Sequence, residues 1–194
     1  MSIEIKPKRL LGGSWTEGYA LHVHMLSSAF IGYDGAGHPR FDSTRSPVGE
    51  LLFRLKYRDD KTAIDDLADA AARFLASWAP PVDGIVAVPP SLQRAHQPVL
   101  AVALAISKRT GILLLESCLT KTKATPQLKD IVEYDKRKEA LDKAFSVDAQ
   151  QTRGKKLLLF DDLFGSGATV SYIAAELTNK GGASAVYLLT LTTK

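Results

Sequence analysis

The feature that most constrains the fold is a short apolar run that ends in two adjacent carboxylates. Residues 157–160 are Leu-Leu-Leu-Phe, which is typical of a strand covered on both faces of a sheet. Asp161 and Asp162, the acidic pair, follow directly, and a helical pattern begins at Thr169 after a short segment with two glycines. In open α/β sheets, ligands bind outside the carboxyl ends of the strands. We therefore expect a binding site where this strand leads into the helix.

The rest of the chain alternates short apolar runs with helical patterns. Further apolar runs lie at residues 84–88, 112–115 and 185–191, and helical patterns lie at 46–57, 62–78, 99–107 and 169–179. Ser46 and Pro47 are typical of a helix start, with serine as the N-cap and proline at the first helical position. Strands that alternate with helices predict a parallel α/β sheet with right-handed crossovers.

Two segments break this alternation. Residues 19–32 and 40–44 flank the turn signal Asp-Gly-Ala-Gly at 34–37, which predicts an N-terminal β-hairpin or small sheet. Residues 121–143 are polar and rich in lysine, which predicts a long mobile loop, and a loop of that length is usually functional or disordered. We divide the chain into an N-terminal extension with the hairpin, residues 1–45, and an α/β core, residues 46–194.

Composition limits the class of protein. The chain has 194 residues, which suits one domain, and a formal net charge of +4, which favours anionic partners without choosing between phosphate ligands and nucleic acid. The single cysteine, Cys118, cannot form an internal disulfide, and no window approaches the roughly 20 apolar residues that span a bilayer. No apolar signal core follows the charged N-terminus. We therefore expect a cytoplasmic protein that does not enter the membrane.

The residues after the acidic pair suit an anion. A helix N-terminus presents free backbone N–H groups and the positive end of the helix dipole. Glycines let the backbone close around a phosphate, and serine and threonine add hydroxyl donors. Carboxylates would repel a phosphate but accept hydrogen bonds from sugar hydroxyls or face a hydrated cation. We expect a ligand with a phosphate and a diol, its phosphate held by the phosphate loop: Gly165, Ser166, Gly167, Ala168 and Thr169.

Other interpretations of the same residues remain. The acidic pair could simply end a strand, and the glycines could form an ordinary turn. The chain lacks the longer glycine-rich dinucleotide fingerprint and the lysine-containing loop of nucleoside triphosphatases. A metal-dependent hydrolase would need additional carboxylates or histidines to hold two metals.

The motif at residues 157–169 resembles the site for 5-phosphoribosyl-1-pyrophosphate (PRPP) in type I phosphoribosyltransferases. Further segments resemble the ComF-like family of phosphoribosyltransferase homologues: residues 50–60, residues 86–91 with Arg94 and Gln97, and residues 125–128 and 144–145 with Arg137. The resemblance covers about residues 46–194. The chain departs from it by lacking an N-terminal cysteine zinc module, and by carrying Gly165 and Ser166 where relatives have two threonines.

The resemblance implies a type I phosphoribosyltransferase fold, with a parallel sheet core flanked by helices and a hood formed by an N-terminal β-hairpin and helix. It implies an enzyme that binds PRPP with Mg²⁺ and displaces pyrophosphate with an acceptor. Asp161 and Asp162 would bind the ribose hydroxyls as the catalytic pair, and Mg²⁺ would be held mainly through the substrate. The implied residues on the pyrophosphate side are Pro89, Pro90, Ser91 and Arg94, and those of the mobile loop are Lys121, Lys123 and Arg137.

Several functional questions stay open at this level. The acceptor is not identified, although a nitrogenous acceptor such as a base or ammonia is expected. The same fold also serves as a non-catalytic PRPP or nucleotide sensor, and ComF-like relatives are linked to DNA uptake. No basic stripe with interleaved aromatics supports direct nucleic-acid binding. Homodimerisation is compatible with the sequence.

Overall fold

The computed structural model describes residues 3–90, 97–122 and 144–194. Its strands are β1 (Lys8–Arg9), β2 (Glu17–Val23), β3 (Met25–Tyr33), β4 (Pro39–Arg45), β5 (Gly84–Ala87), β6 (Leu119–Lys121), β7 (Phe145–Val147), β8 (Lys156–Phe164) and β9 (Ala185–Thr193). Its helices are α1 (Pro47–Tyr57), α2 (Ala63–Trp78), α3 (Pro98–Thr110), α4 (Ala149–Thr152) and α5 (Ala168–Asn179).

A five-stranded sheet in the order β1-β2-β9-β8-β5 forms the centre of the molecule. Strands β2, β9, β8 and β5 are parallel to their neighbours, and only β1 runs antiparallel, at one edge. The short strands β6 and β7 pair separately. The predicted parallel α/β architecture is therefore confirmed.

Helices cover both faces of the sheet, as β8 shows most directly. Leu158 and Phe160 point into the core formed with α1, α2 and α3, whereas Leu157 and Leu159 point into the core formed with α5. All four side chains are fully buried. Since successive residues of a strand face opposite sides, a run without polar residues is what a sheet covered on both faces requires.

The start of α1 follows the predicted capping pattern. The Ser46 side-chain oxygen accepts a hydrogen bond of 3.0 Å from the backbone N–H of Gly49, and Pro47 occupies the first turn. By contrast, residues 112–115 do not form the predicted strand: they make one parallel bridge to β5, in which the Ile85 N–H donates to the Leu113 carbonyl oxygen and the Leu115 N–H donates to that of Ile85. The apolar character of that segment instead reflects partial burial beside the sheet edge.

The N-terminal region contains the predicted hairpin, but the region is not all hairpin. Strands β3 and β4 pair around a turn in which Asp34 Oδ1 accepts hydrogen bonds from the N–H groups of Ala36 and His38, each 2.9 Å. The preceding strand, β2, pairs with β9 inside the central sheet. The division of the chain at residue 45 stays a prediction, since the sheet draws residues from both sides of it. Among the described helices, none has the length and apolar character needed to cross a membrane.

Candidate functional site

The acidic pair lies inside β8 and not after its end. We expected the strand to stop at Phe160, but the backbone continues to pair with β9 as far as Phe164, opposite Thr193. The neighbouring strand β5 is shorter and ends at Ala87, opposite Phe160. Beyond this point the β5 side of β8 has no strand partner among the described residues. The early end of β5 therefore exposes the acidic pair to a cleft.

The phosphate loop turns sharply from β8 into α5. Gly167 has a φ of +76°, a conformation that L side chains rarely adopt. Its carbonyl oxygen accepts a hydrogen bond of 2.9 Å from the N–H of Ser171, so it already belongs to the first turn of the helix. A Cβ at Gly167 would lie 2.7 Å from Cζ of Phe164, which shows that the aromatic ring packs directly beneath the loop.

The N-terminal segment supports this loop from the outside. The ring of Trp15 packs edge-on against Phe164 with a centroid distance of 5.8 Å, and its Nε1–H donates to the Leu10 carbonyl oxygen at 3.0 Å. The Ser14 N–H donates to Oγ of Ser171 on α5 at 3.2 Å. Residues far from the motif in sequence thus hold the loop in place.

Two cavities adjoin at the acidic pair. The first, here called the proline cavity, has a volume of about 390 Å³ and is lined by residues that include Pro89, Pro90, Lys56 and both carboxylates. The second, the loop cavity, has a volume of about 440 Å³ and is lined by the phosphate loop together with Lys194. Asp161 and Thr169 line both cavities. The two cavities therefore form one cleft that is joined at Asp161, and Asp162 lines the proline cavity alone.

A lysine from α1 neutralises one of the two carboxylates. Lys56 Nζ lies 2.6 Å from Asp162 Oδ2, and the two side chains are only 20% and 14% exposed. The Asp162 backbone N–H donates to Oδ1 of Asp161 at 2.8 Å. Burial first, and then the neighbouring Asp162 carboxylate, raise the pKa of Asp161 to about 8. Asp162 is thus the ion-paired carboxylate, and Asp161 is the one that readily holds a proton.

Polar groups from β9 and from His24, which lies between β2 and β3, fix the backbone behind the acidic pair. The Thr192 hydroxyl donates to the Asp162 carbonyl oxygen at 3.2 Å, and His24 Nδ1 lies 3.2 Å from the same hydroxyl oxygen. Burial, followed by the charges of Arg45 and Lys56, lowers the pKa of His24. A neutral imidazole at neutral pH therefore adds no further positive charge to the site.

The structure brings together part of the predicted set. The acidic pair, the phosphate loop, Pro89 and Pro90 line one cleft. Lys121 lies in β6 and is not among the residues that line either cavity, and burial lowers its pKa. The other predicted residues of the pyrophosphate side and the mobile loop lie outside the described residues: Ser91, Arg94, Lys123 and Arg137. No group of three or more metal-binding side chains occurs within the described ranges.

Two lysines that line the cleft were not predicted from the sequence as site residues. Lys56 continues the buried i, i+4 row of Val48 and Leu52 on α1, so a lysine on an apolar helix face was the available signal. Lys194 follows β9, and its backbone N–H donates to the Phe164 carbonyl oxygen at 3.1 Å. Nothing in the local sequence singles it out, because only the pairing of β9 with β8 brings it beside the loop.

Comparison with solved structures identifies the fold. An allosteric regulatory enzyme of purine biosynthesis aligns with 89% of this chain at a TM-score of 0.53 and 17% identity. The glutamine PRPP amidotransferase of B. subtilis aligns with 81% of this chain at a TM-score of 0.52 and 19% identity. The adenine phosphoribosyltransferase of Saccharomyces cerevisiae aligns with 87% of it at a TM-score of 0.51 and 13% identity. The alignments span 44%, 34% and 85% of those proteins respectively, so the chain matches less than half of the first two.

These likenesses confirm the predicted fold, which is that of the type I phosphoribosyltransferases. Because all three sequence identities are below 20%, these similarities establish the fold but not the activity. No protein-family model matches the chain, and no curated protein sequence matches it significantly.

Proposed function

We propose that this protein binds PRPP with Mg²⁺ and transfers its phosphoribosyl group to an acceptor, with release of pyrophosphate. The observation that carries the proposal is the pair of cavities that adjoin at Asp161 and Thr169. Such a cleft accommodates a ligand with hydroxyls in its middle and an anionic group at each end. PRPP has this layout: a ribose diol between a 5-phosphate and a 1-pyrophosphate.

The loop cavity suits the 5-phosphate. Its lining combines the start of α5, two glycines and the hydroxyls of Ser166 and Thr169. Backbone N–H groups at a helix N-terminus and short hydroxyl side chains are the groups that bind phosphate with little need for a protein cation. The substitution of Gly165 for a threonine of the family motif removes one hydroxyl but keeps the backbone turn.

The acidic pair suits the ribose and the reaction. Its oxygens can accept hydrogen bonds from the two ribose hydroxyls. Departure of pyrophosphate leaves positive charge on the anomeric carbon, and a nearby carboxylate stabilises that charge. The proline cavity would then lie beside the anomeric carbon, which pyrophosphate leaves and the acceptor attacks. The reaction needs positioning more than a protein nucleophile.

The residues present fit Mg²⁺ bound mainly through the substrate. Within the described lining of the proline cavity, Lys56 is accompanied by the carboxylates of Glu116 and Asp162 and by Asp161, whose pKa is raised to about 8, so acidic groups outnumber the one cation around a bare pyrophosphate. Mg²⁺ favours oxygen ligands and commonly combines one or two carboxylates with substrate phosphates. Bound there, it would neutralise charge on the pyrophosphate.

The narrower parts of the proposal rest on the sequence. The ComF-like resemblance favours a place in that family, and the acceptor is proposed to be nitrogenous. A cytoplasmic location is proposed because the single cysteine of the sequence, Cys118, is a buried free thiol.

Ligand-induced stabilisation tests binding, and pyrophosphate release tests turnover. PRPP with Mg²⁺ at about 100 times its Kd should stabilise the fold by about 2.7 kcal/mol, or roughly 5–10 °C in Tm for a chain of this size. Asp161→Asn should lose most of that shift, whereas the exposed Asp66→Asn on α2 should retain it. Pyrophosphate release is then measured with purines, pyrimidines and ammonia as acceptors. A shift without turnover would indicate a PRPP sensor, and no shift in the wild type would refute the proposal.

A further inference from the structure

Each cavity of the cleft contains one lysine that lies outside the phosphate-binding motif. Lys56 comes from α1 and lines the proline cavity, whereas Lys194 follows β9 and lines the loop cavity. The two lysines therefore line different cavities, which share Asp161 and Thr169. Their separation suggests that each contacts a different end of the ligand.

Lys194 is held beside the phosphate loop by the sheet. Its backbone N–H donates to the carbonyl oxygen of Phe164, the last residue of β8. Its Cε lies 4.0 Å from the position that a Cβ would take on Gly165. Lys194 and Asp161 are the charged residues among the described lining of the loop cavity. The Lys194 ammonium group therefore lies next to Gly165, the position at which the loop lacks a hydroxyl side chain.

Lys56 is held beside Asp162 by a helix that packs on the sheet. Leu52 and Val48, one and two turns earlier on the same row of α1, are almost completely buried, so the row is fixed against the core. The ammonium group reaches the acidic pair at the end of a stem that is itself largely buried. It lines the same cavity as Pro89 and Pro90. A ligand that enters this cavity therefore meets the ammonium group next to the ribose-binding carboxylates.

We propose that the two lysines recognise opposite ends of one ligand that has an anionic group at each end. Lys194 contacts the 5-phosphate, and Lys56 contacts the 1-pyrophosphate. This inference rests on the proposed function, because it assigns the ends of PRPP to the two cavities. It adds a property that the phosphate-binding motif does not contain. Lys56 makes the site bind PRPP more tightly than ribose 5-phosphate, and Lys194 increases the affinity for both ligands equally.

Binding of two ligands to matched variants tests the assignment. Isothermal titration with PRPP and with ribose 5-phosphate, both with Mg²⁺, is carried out on wild type, Lys56→Gln, Lys194→Gln and the exposed control Lys61→Gln. Loss of one charge-assisted contact corresponds to about tenfold weaker binding or more. Lys194→Gln should weaken the binding of both ligands by that factor. Lys56→Gln should weaken PRPP by that factor and leave ribose 5-phosphate within about twofold, and Lys61→Gln should change neither.

The results separate this inference from the function on which it rests. A wild type that binds neither ligand overturns the proposed function. A wild type that binds both, with Lys56→Gln weakening them equally or Lys194→Gln weakening neither, overturns only the assignment of the lysines. Because Lys56→Gln leaves Asp162 without this ion pair, its thermal unfolding is measured alongside. Lys56→Arg keeps the positive charge and should retain the preference for PRPP, and its failure to do so counts against the assignment.

Discussion

Replacing Gly167 with alanine should damage both the fold and the phosphate site. The residue has a φ of +76°, and L residues pay about 1–2 kcal/mol to adopt the left-handed region. The added Cβ would also lie 2.7 Å from Cζ and 3.0 Å from Cε2 of Phe164. Trp15 packs against that ring, so the ring cannot move without disturbing a second aromatic contact. We expect a total loss of about 2–4 kcal/mol in the free energy of unfolding.

Gly165→Ala is the matched control in the same loop. Its backbone φ lies outside the left-handed region, and the nearest atom to a new Cβ is Cε of Lys194 at 4.0 Å. Since nothing must move, the change in stability should stay within about 0.5 kcal/mol. Gly167→Ala should in addition weaken the binding of ribose 5-phosphate, because a shifted Phe164 ring would displace the phosphate loop that packs on it.

Urea denaturation of the two variants and the wild type measures the difference. A lower midpoint for Gly167→Ala at an unchanged m-value would show that the native state lost stability. Equal midpoints for the two variants would refute the reasoning, since neither the positive φ nor the contact with Phe164 would then constrain the loop.

Two further predictions concern the acidic pair and the packing of α1. Because the pKa of Asp161 is raised to about 8, the folded protein keeps a proton that the unfolded chain loses near pH 4, so the stability from that proton is lost as the pH rises from about 4 to about 8. Asp161→Asn should therefore flatten the decline in Tm over this range, and an unchanged slope would contradict the assignment. Gly49→Ala should destabilise the protein by about 2 kcal/mol in urea denaturation, although alanine favours helix by about 1 kcal/mol, because its Cβ would lie 2.2 Å from the carbonyl oxygen of His24. A more stable variant would show that α1 does not pack this closely on the end of β2.

Features set by interactions between residues close in sequence could be predicted, whereas features set by strand pairing could not. The N-cap at Ser46 and the helix after the phosphate loop were predicted because capping and helical periodicity involve residues within a few positions of each other. The end of β8 was misplaced because pairing with β9 carries the strand past two carboxylates that look like a natural stop. Residues 112–115 have the composition of a strand, but only one bridge joins them to β5.

The amino-acid sequence by itself determined the strand-to-helix connection that contains Asp161, Asp162 and the phosphate loop. Those residues are contiguous, and their hydrophobicity, glycine content and helix start act locally. Only the tertiary structure decided that β5 ends early enough to expose the acidic pair, and that Lys56 and Lys194 enter the two cavities. These features depend on strand register and on the packing of α1 against the sheet. Both are set by contacts between residues far apart in the chain, which local patterns do not encode.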